Sequence, residues 1–589
     1  MSAIWGIVDL NKNSINDKEI EMLKCEYLSK KIDRIDEFQG EFFYLACGIQ
    51  YVNSDAMKEH FPYVLNENKY MVADVIIDNR EELEGYEDAA DGKIMFDALN
   101  KDFDDALDKM LGAYAFAYFD AKKCELNLVS DAVGNRSVYY YVHDGIIYFS
   151  TILNPIINII NKPRINEGWF RRYADTHDLR VVLESTETPI EDVFRVEPGE
   201  KVTISSEGVE KCAYWNPFLN RKDLKLKNYS DYKKIVLDTY QKCVESVIRE
   251  GKETGILLSG GLDSNSVAAY AAPYLKKKDR KLYSFTSVPI GHSEQIVQGQ
   301  YGVENETFYI KELEKKHDNL CADYIYTGND DVIEANRRIF KMMGYPYKTI
   351  TNIPWMLEAY KRAGESGCGV ILSGQYGNIT ISYGDFETLF TTLLLKGKIK
   401  SFVHEINAFS RRYKYSRKKI IKDLLHPDRE RTLDFIRKYM YDKPALRQIS
   451  EAETVFSLES GVIHRDPTRD KRLIELVLRL PIKVFVREGR ARLLVRDYMK
   501  ELIPDSIAQD EFHKGRQGVG DNEYIEKNWN NIIPILVDAY KSDSISAIWD
   551  EDELKQKIRN IDVKEDTFGI TELIYTALAC EYMGGINAR

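Results

Sequence analysis

Cysteine is scarce in these 589 residues: there are eight, and none forms a Cys-x-x-Cys pair. That argues against a zinc ribbon or a disulfide framework and for reduced thiols. No run approaches the roughly 18 apolar residues of a membrane span. The opening Met1 to Asn13 has no basic n-region and turns polar at Asn11, unlike a secretory signal. Basic excess is missing too. Lys and Arg number 82 against 94 Asp and Glu, a net of −12, which suits no general binder of nucleic acid. There is no internal repeat, no low-complexity tract and no Gly-x-x-x-x-Gly-Lys-Ser/Thr loop of the kind that works on a γ-phosphate. What is left is a globular composition, 44% hydrophobic and 30% charged, with length for several domains. These absences predict a cytoplasmic, multi-domain protein with neither membrane nor nucleic acid as partner.

The chain changes character once. Up to Trp215 it is β-rich, with strand patterns at Phe42 to Cys47, Tyr70 to Ile77, Ala113 to Phe119, Leu126 to Ser130 and Ile146 to Ser150. Helical patterns interrupt at Lys18 to Ile32 and Lys93 to Leu111, and Pro198-Gly199 and Glu207-Gly208 bracket a hairpin. A polar, basic linker follows at Arg221 to Lys227. Beyond it the order is helix (Tyr229 to Arg249), strand (Thr254 to Leu258), Gly-rich turn, helix (Asn265 to Leu275) and strand (Lys281 to Val288). A second such strand, Gly369 to Leu372, also ends in a Gly-rich turn, and from Phe386 the pattern is nearly all helical. That alternation predicts an α/β parallel sheet. Residues 396–447 carry sixteen Lys and Arg against six Asp and Glu, a net of +10. They read as solvated helix faces, with a docking surface for an acidic partner as the sharper alternative.

Ser259-Gly260-Gly261-Leu262-Asp263-Ser264 lies between the strand ending at Leu258 and the helix beginning at Asn265. Glycines let backbone amides approach an anion, and a helix N-terminus adds about half a positive charge. The serine hydroxyls add donors, and Asp263 offers an oxygen ligand for Mg²⁺. The plain alternative is a strand-to-helix turn with Asp263 and Ser264 as caps.

This loop resembles the pyrophosphate loop of the N-type ATP pyrophosphatases, and nearly the whole chain is similar to the class B asparagine synthetase superfamily. Val370-Ile371-Leu372-Ser373-Gly374 and Tyr214-Trp215 match further landmarks of that superfamily. The resemblance implies an α/β fold: an N-terminal glutaminase-like (Ntn-type) β-sandwich with helices over residues 1–220, then an adenylating domain over 221–589 with a parallel sheet and a helical C-terminal part. It implies ATP and Mg²⁺ as cofactors. Asp263 would hold the metal, Ser259, Gly260, Gly261, Ser264, Ser373 and Gly374 would cradle the phosphates, and Leu258 and Ser287 would line the adenine site.

Departures from the family pattern narrow the expectation. Ser2 stands where glutamine-dependent members have a nucleophilic cysteine. Asp74-Val75-Ile76 replaces the Asn-Gly-Glu that binds glutamine and supplies oxyanion donors. Losing one such donor costs about two to three decades in rate, so residues 1–220 are expected to lack glutaminase activity. Asp91 still matches the family's amine-binding Asp, or else caps a helix. In the second loop, Gln375 replaces a carboxylate and Asn378 replaces a likely metal ligand. Gln375 to Ser382, the run Arg465-Asp466-Pro467-Thr468-Arg469-Asp470, and Lys514-Gly515-Arg516-Gln517-Gly518 look like the lasso-peptide cyclase branch. That likeness implies ATP-dependent macrolactam formation on a ribosomally made precursor or core peptide, with a leader peptidase and a leader-recognition protein as partners. Lys514 would neutralise developing charge, with Gln375 and Asn378 beside it. Tyr376, Arg465, Asp466 and Asp470 are candidate substrate contacts, an ion-pair network being the alternative for the last three. A small-molecule amide synthetase, making asparagine from ammonia or closing a β-lactam, and a non-catalytic binding protein are the rival expectations.

Overall fold

The computed structural model describes residues 2–83, 89–170, 186–219, 221–293, 302–347, 350–424, 431–440, 443–511, 513–540 and 550–587. Two six-stranded antiparallel sheets make up the first part. One runs from Val193–Arg195 through the central Ser2–Asp9 to Arg34–Gln39; the other runs from Gly208–Ala213 through Lys69–Ile77 to Tyr63–Leu65. Their facing sides supply one core, with Ile4, Leu45, Cys47, Val72, Phe116, Leu128 and Phe149 all buried. The outer face of the first sheet packs elsewhere, where Trp5 stacks on Tyr27 with ring centroids 4.2 Å apart. The sandwich expected from the resemblance is therefore present.

Both early helices are shorter than their patterns suggest. The first covers Asp17–Lys24, capped by the Asn16 side chain, and only a three-residue 3₁₀ turn follows at Tyr27–Ser29. The second splits into Asp91–Lys101 and Phe103–Lys109. Asp102 adopts an extended backbone and its carboxylate accepts from the Asp105 amide, so a cap interrupts an apolar periodicity that would otherwise run on.

Past the linker, five parallel strands line up as Leu320–Thr327, Leu282–Pro289, Glu253–Leu257, Cys368–Leu372 and Ile463–Arg465. Chain order moves outward in both directions from Glu253–Leu257. The sheet thus reverses between that strand and Cys368–Leu372, and in open α/β sheets ligands bind beyond the carboxyl ends at such a reversal. Both Gly-rich turns leave the sheet at this point. The rest is mainly helical; two long helices, Val519–Ala539 and Thr567–Asn587, pack together, and no described helix is long and apolar enough to cross a membrane.

The two parts share an apolar seam and a set of buried ion pairs. Ala132, Val133 and Trp215 pack on Tyr376, Ile474 and Leu478, and the Trp215 indole donates to Glu475 at 2.9 Å. Arg465 pairs with Asp78 at 2.5 Å, and Arg195 with Glu451 at 2.7 Å. Asp91, matched to the family's amine-binding Asp or else to a cap, opens the second early helix and is almost fully buried between Arg80 (3.2 Å) and Arg249 of the second part (3.0 Å).

Candidate functional site

The first loop is organised by its own serines. Ser264 Oγ accepts from the Ser259 amide at 3.1 Å and lies 3.0 Å from Ser259 Oγ, which in turn accepts from the Gly261 amide at 3.2 Å. Asn265 clamps the turn from inside the helix, donating to the carbonyls of Ser259 (2.7 Å) and Gly261 (2.8 Å). The helix begins earlier than its pattern suggests, at Leu262, with Gly261 as the uncapped N-cap residue. Asp263 and Ser264 therefore sit in its first turn, where the helix dipole favours a carboxylate or a phosphate. Leu258 is buried and its carbonyl accepts from Thr286 Oγ1 at 2.9 Å, while Ser287 lies on the neighbouring strand opposite Ile325.

The second loop is pressed against the first. A Cβ on Gly374 would come within 2.6 Å of the Asp263 backbone, and one on Gly377 within 2.3 Å of Asp263 Oδ1. Only glycine permits this approach, which lays the second loop directly over the first turn of the helix. Gln375 and Asn378, one residue from each of these glycines, are exposed. Asp263 Oδ1 is enclosed without a hydrogen-bond partner. Burial pushes the Asp263 carboxyl up to about 6; the Ser382 hydroxyl and Arg492 oppose the shift and Asp466 adds to it. An uncompensated carboxylate oxygen under the second loop fits Mg²⁺, which takes one or two protein ligands and keeps phosphates and waters for the rest. Among the described residues no group of three or more His, Cys, Asp or Glu could hold a metal, so phosphate oxygens would be essential partners.

Behind the second loop lies a buried relay. Ser373 Oγ sits 2.6 Å from His464 Nε2, while His464 Nδ1 is 2.8 Å from the Tyr360 hydroxyl and 3.1 Å from Glu453. The order hydroxyl, imidazole, carboxylate resembles an activated nucleophile. Both Ser373 and His464 are shut from solvent, however, and burial, with Arg469 beside it, pushes the imidazole down to about 3. A neutral, enclosed imidazole fixes the Ser373 rotamer and so the start of the loop.

The remaining sequence candidates take the following places. Asp466 accepts from the Tyr376 amide at 2.9 Å and from Thr468, holding the second loop from beneath. Asp470 caps the Lys471–Arg479 helix and pairs with Arg472 at 2.7 Å. Arg465 is committed to Asp78, and the Tyr376 ring belongs to the seam between the two parts. Lys514 and Gly515 form a two-residue strand parallel to Gly302–Val303; the Lys514 side chain lies outside the described residues. Ser2 opens the central strand opposite Ile49, with its side chain likewise outside.

Two functional candidates were invisible in the sequence. Arg492, in a left-handed backbone conformation, is the cation whose field reaches Asp263; a Cβ on Gly384 would lie 2.5 Å from the Arg492 amide nitrogen. Glu306 is wedged between the nucleotide loop and the Lys514 strand. A Cβ on Gly260 would meet its Oε1 at 2.9 Å and one on Gly515 at 2.0 Å. Burial pushes this carboxyl up to about 7, opposed by the Gly260 amide. No local motif marks either residue, because each meets the loop only through the tertiary fold.

Residues 236–562 match the Asparagine synthase family model, and residues 58–215 match a Glutamine amidotransferase domain. Glutamine-hydrolyzing asparagine synthetase 3 of Bacillus subtilis (strain 168) is 20% identical over 542 residues, covering 86% of this chain and 85% of that protein. Amidase chry2 of Gibberella zeae is 28% identical over 181 residues, 30% of this chain and 26% of its own length. Among solved structures, the glutamine phosphoribosylpyrophosphate amidotransferase from B. subtilis complexed with ADP and GMP aligns at 10% identity and a TM-score of 0.28, covering 54% of this chain and 90% of that one. With more than half of its length matched to that model, the chain belongs to the asparagine synthase family of ATP-dependent, AMP-forming ligases that make amide bonds.

Proposed function

We propose that this protein is a lasso-peptide-type cyclase that closes a macrolactam on a peptide substrate. A side-chain carboxylate of the peptide, Asp or Glu, attacks the α-phosphate of ATP and releases pyrophosphate. The peptide's own α-amine then attacks the acyl-adenylate, and AMP leaves as the isopeptide bond forms. The observation that carries the reading is the composite cradle: an intact Ser259–Ser264 turn under a second loop whose exposed side chains, Gln375 and Asn378, are uncharged. The helix N-terminus at Leu262–Ser264 would draw phosphate oxygens, which would take over the Ser259, Gly260 and Gly261 amides from Ser264, Glu306 and Ser259. Asp263 and Asn378 would hold Mg²⁺, which when bound offsets phosphate charge. Lys514 would add to the same charge neutralisation.

No carboxylate base is needed beside such an amine. An α-amine has a pKa near 8, so an appreciable fraction is neutral near pH 7 and attacks without one. The amine is also not made in place. Asp74, at the position of the glutamine-binding motif, is fully buried and paired with Arg136 at 3.3 Å, which supports an inactive glutaminase-like part. Holding amine and acyl-adenylate about 3.5 Å apart in one molecule can supply roughly 7–11 kcal/mol of the barrier.

The full-length similarity to an asparagine synthetase favours a second reading, amide synthesis on a small acid. Mass spectrometry separates the two. With ATP, Mg²⁺ and a leaderless candidate peptide, the cyclase reading expects a product lighter by one water with AMP and pyrophosphate released. AMP release from aspartate and ammonia, with none from a peptide panel, would give the case to the second.

A further inference from the structure

In the basic stretch singled out in the sequence, the cations from Arg411 to Lys422 are exposed, as solvated helix faces would be. The first residues of the stretch close one side of a cavity of about 330 Å³, whose other sides are the linker after Asp223, the start of the Tyr229–Ser246 helix and the segment Pro481–Val484. Lys227, Lys396, Lys398, Lys483 and Arg437 line it, against the single carboxylate of Asp223. Asp434 satisfies part of this set, lying 3.3 Å from Lys396 and 3.5 Å from Arg437. Lys227 and Lys398 pair with no carboxylate among the described residues, and Lys483 meets only the Ser401 hydroxyl at 3.4 Å. Between the cations the walls are aliphatic, from Leu226, Leu393, Leu433, Ile482 and Val484.

The cavity is preformed. The Tyr232 hydroxyl accepts from the Leu226 amide at 2.9 Å and donates to the Leu224 carbonyl at 3.0 Å, while the Leu224 amide donates to Arg479 at 2.8 Å. These bonds pin the linker in place as a wall. Two of the walls also continue into the nucleotide cradle. The segment Pro481–Val484 runs through Phe485, whose carbonyl accepts from Leu493, next in the chain to Arg492, whose charge acts on Asp263. The Phe386–Leu395 helix, which contributes Leu393, follows directly on the second loop.

From this placement we propose that the cavity docks an acidic, aliphatic segment of the peptide substrate. One aliphatic side chain fills the well and flanking carboxylates meet Lys227, Lys398 and Lys483. The cations come from three separate chain segments with aliphatic wall between them. That arrangement suits an apolar side chain flanked by acids better than a compact oxyanion, which needs donors converging on a point. Charge works in the same direction: the chain totals −12, yet residues 396–447 carry +10, so an acidic segment is repelled from most of the surface and drawn here. The inference rests on the reading that the substrate is a peptide.

The test uses the full chain and fluorescein-labelled ten-residue probes containing leucine flanked by Asp and Glu. Control probes replace the acids by Asn and Gln, or the leucine by Ser. Fluorescence anisotropy should show the acidic leucine probe binding most tightly and weakening as salt rises. The triple variant Lys227→Glu/Lys398→Glu/Lys483→Glu should lose at least about tenfold in affinity for it. ATP affinity, measured by calorimetry, should not change, which also certifies the fold. Equal binding of the probe by wild type and variant overturns the proposal. So does lysine-dependent binding of inorganic pyrophosphate with no peptide binding. Lysine-dependent docking without any dehydrated product would uphold this site and sink the cyclase reading. Cyclisation with an unchanged KM in the triple variant would do the reverse.

Discussion

At the scale of single residues, the chemistry converges on two carboxylates with different tasks. Asp263 presents an unpartnered oxygen at the floor of the cradle. Asp263→Asn keeps the shape and removes the charge, so AMP formation at saturating Mg²⁺ should fall at least about a hundredfold, with the circular-dichroism spectrum and melting temperature nearly unchanged. Retention of a tenth of the rate would place the metal elsewhere. Glu306 tests the packing behind the loop. Burial pushes its carboxyl up to about 7 from the ordinary 4.5, so its ionisation is penalised in the folded state. The stability tied to this group is complete below pH 4.5 and drains away as pH rises through 7. Glu306→Gln removes that dependence. The variant should melt about 1–3 °C above wild type at pH 8, and the difference should close below pH 4.5, where Glu306 is neutral folded and unfolded. A gap independent of pH would mean that Glu306 acts through packing alone.

At the scale of elements, the site is made by one loop lying on another, and its two contact glycines are not equivalent. A methyl group at position 374 meets backbone atoms of Asp263 and Ser264, which cannot step aside, whereas at 377 it meets a carboxylate that can rotate. Gly374→Ala should therefore cost about 1–3 kcal/mol of stability together with activity. Gly377→Ala should stay folded but lose ATP affinity, because the displaced group is the Asp263 carboxylate. Denaturation midpoints and calorimetric ATP titrations on both variants check this ordering. The opposite ranking would mean that the second loop is free to lift away from the helix.

Across the whole molecule, buried ions rather than apolar area alone set how the two parts meet. Arg469 is almost fully buried, pairs with Glu453 at 2.5 Å and also reaches Asn135 in the sandwich at 3.2 Å. Arg469→Met leaves Glu453 buried beside a neutral imidazole, a loss of about 3–5 kcal/mol. Adding Glu453→Leu should recover much of it, since an apolar pair in place of an ion pair is often neutral or stabilising. Urea midpoints for the two variants decide this, and a double variant no better than the single one would show the pair to be worth more than its desolvation. The buried Asp74–Arg136 pair carries the second expectation at this scale: no ammonia is released from glutamine above background. A glutaminase signal abolished by Ser2→Ala would overturn it.

Much of this was legible before any coordinates. The Ser259–Ser264 turn, the alternation that builds the parallel sheet and the uncharged Gln375 and Asn378 are local features, written in consecutive residues by glycine, period and side-chain type. The helix that breaks at Asp102 was not legible, because a capping carboxylate there outweighs a continuing apolar period. Nor was the task of Tyr376, which looked like a ligand contact and packs in the seam between the two parts; for Asp91 and Arg465 the sequence left a structural role open, and both form ion pairs across that seam. Arg492 and Glu306 reach the nucleotide loop from distant stretches of chain. Sequence alone determined the type of chemistry, since phosphate binding by a strand-turn-helix unit depends on neighbouring residues. Only the tertiary structure decided which charges remain available for it: pairing and burial between remote residues choose which carboxylates and guanidinium groups are spent holding the fold and which face the site.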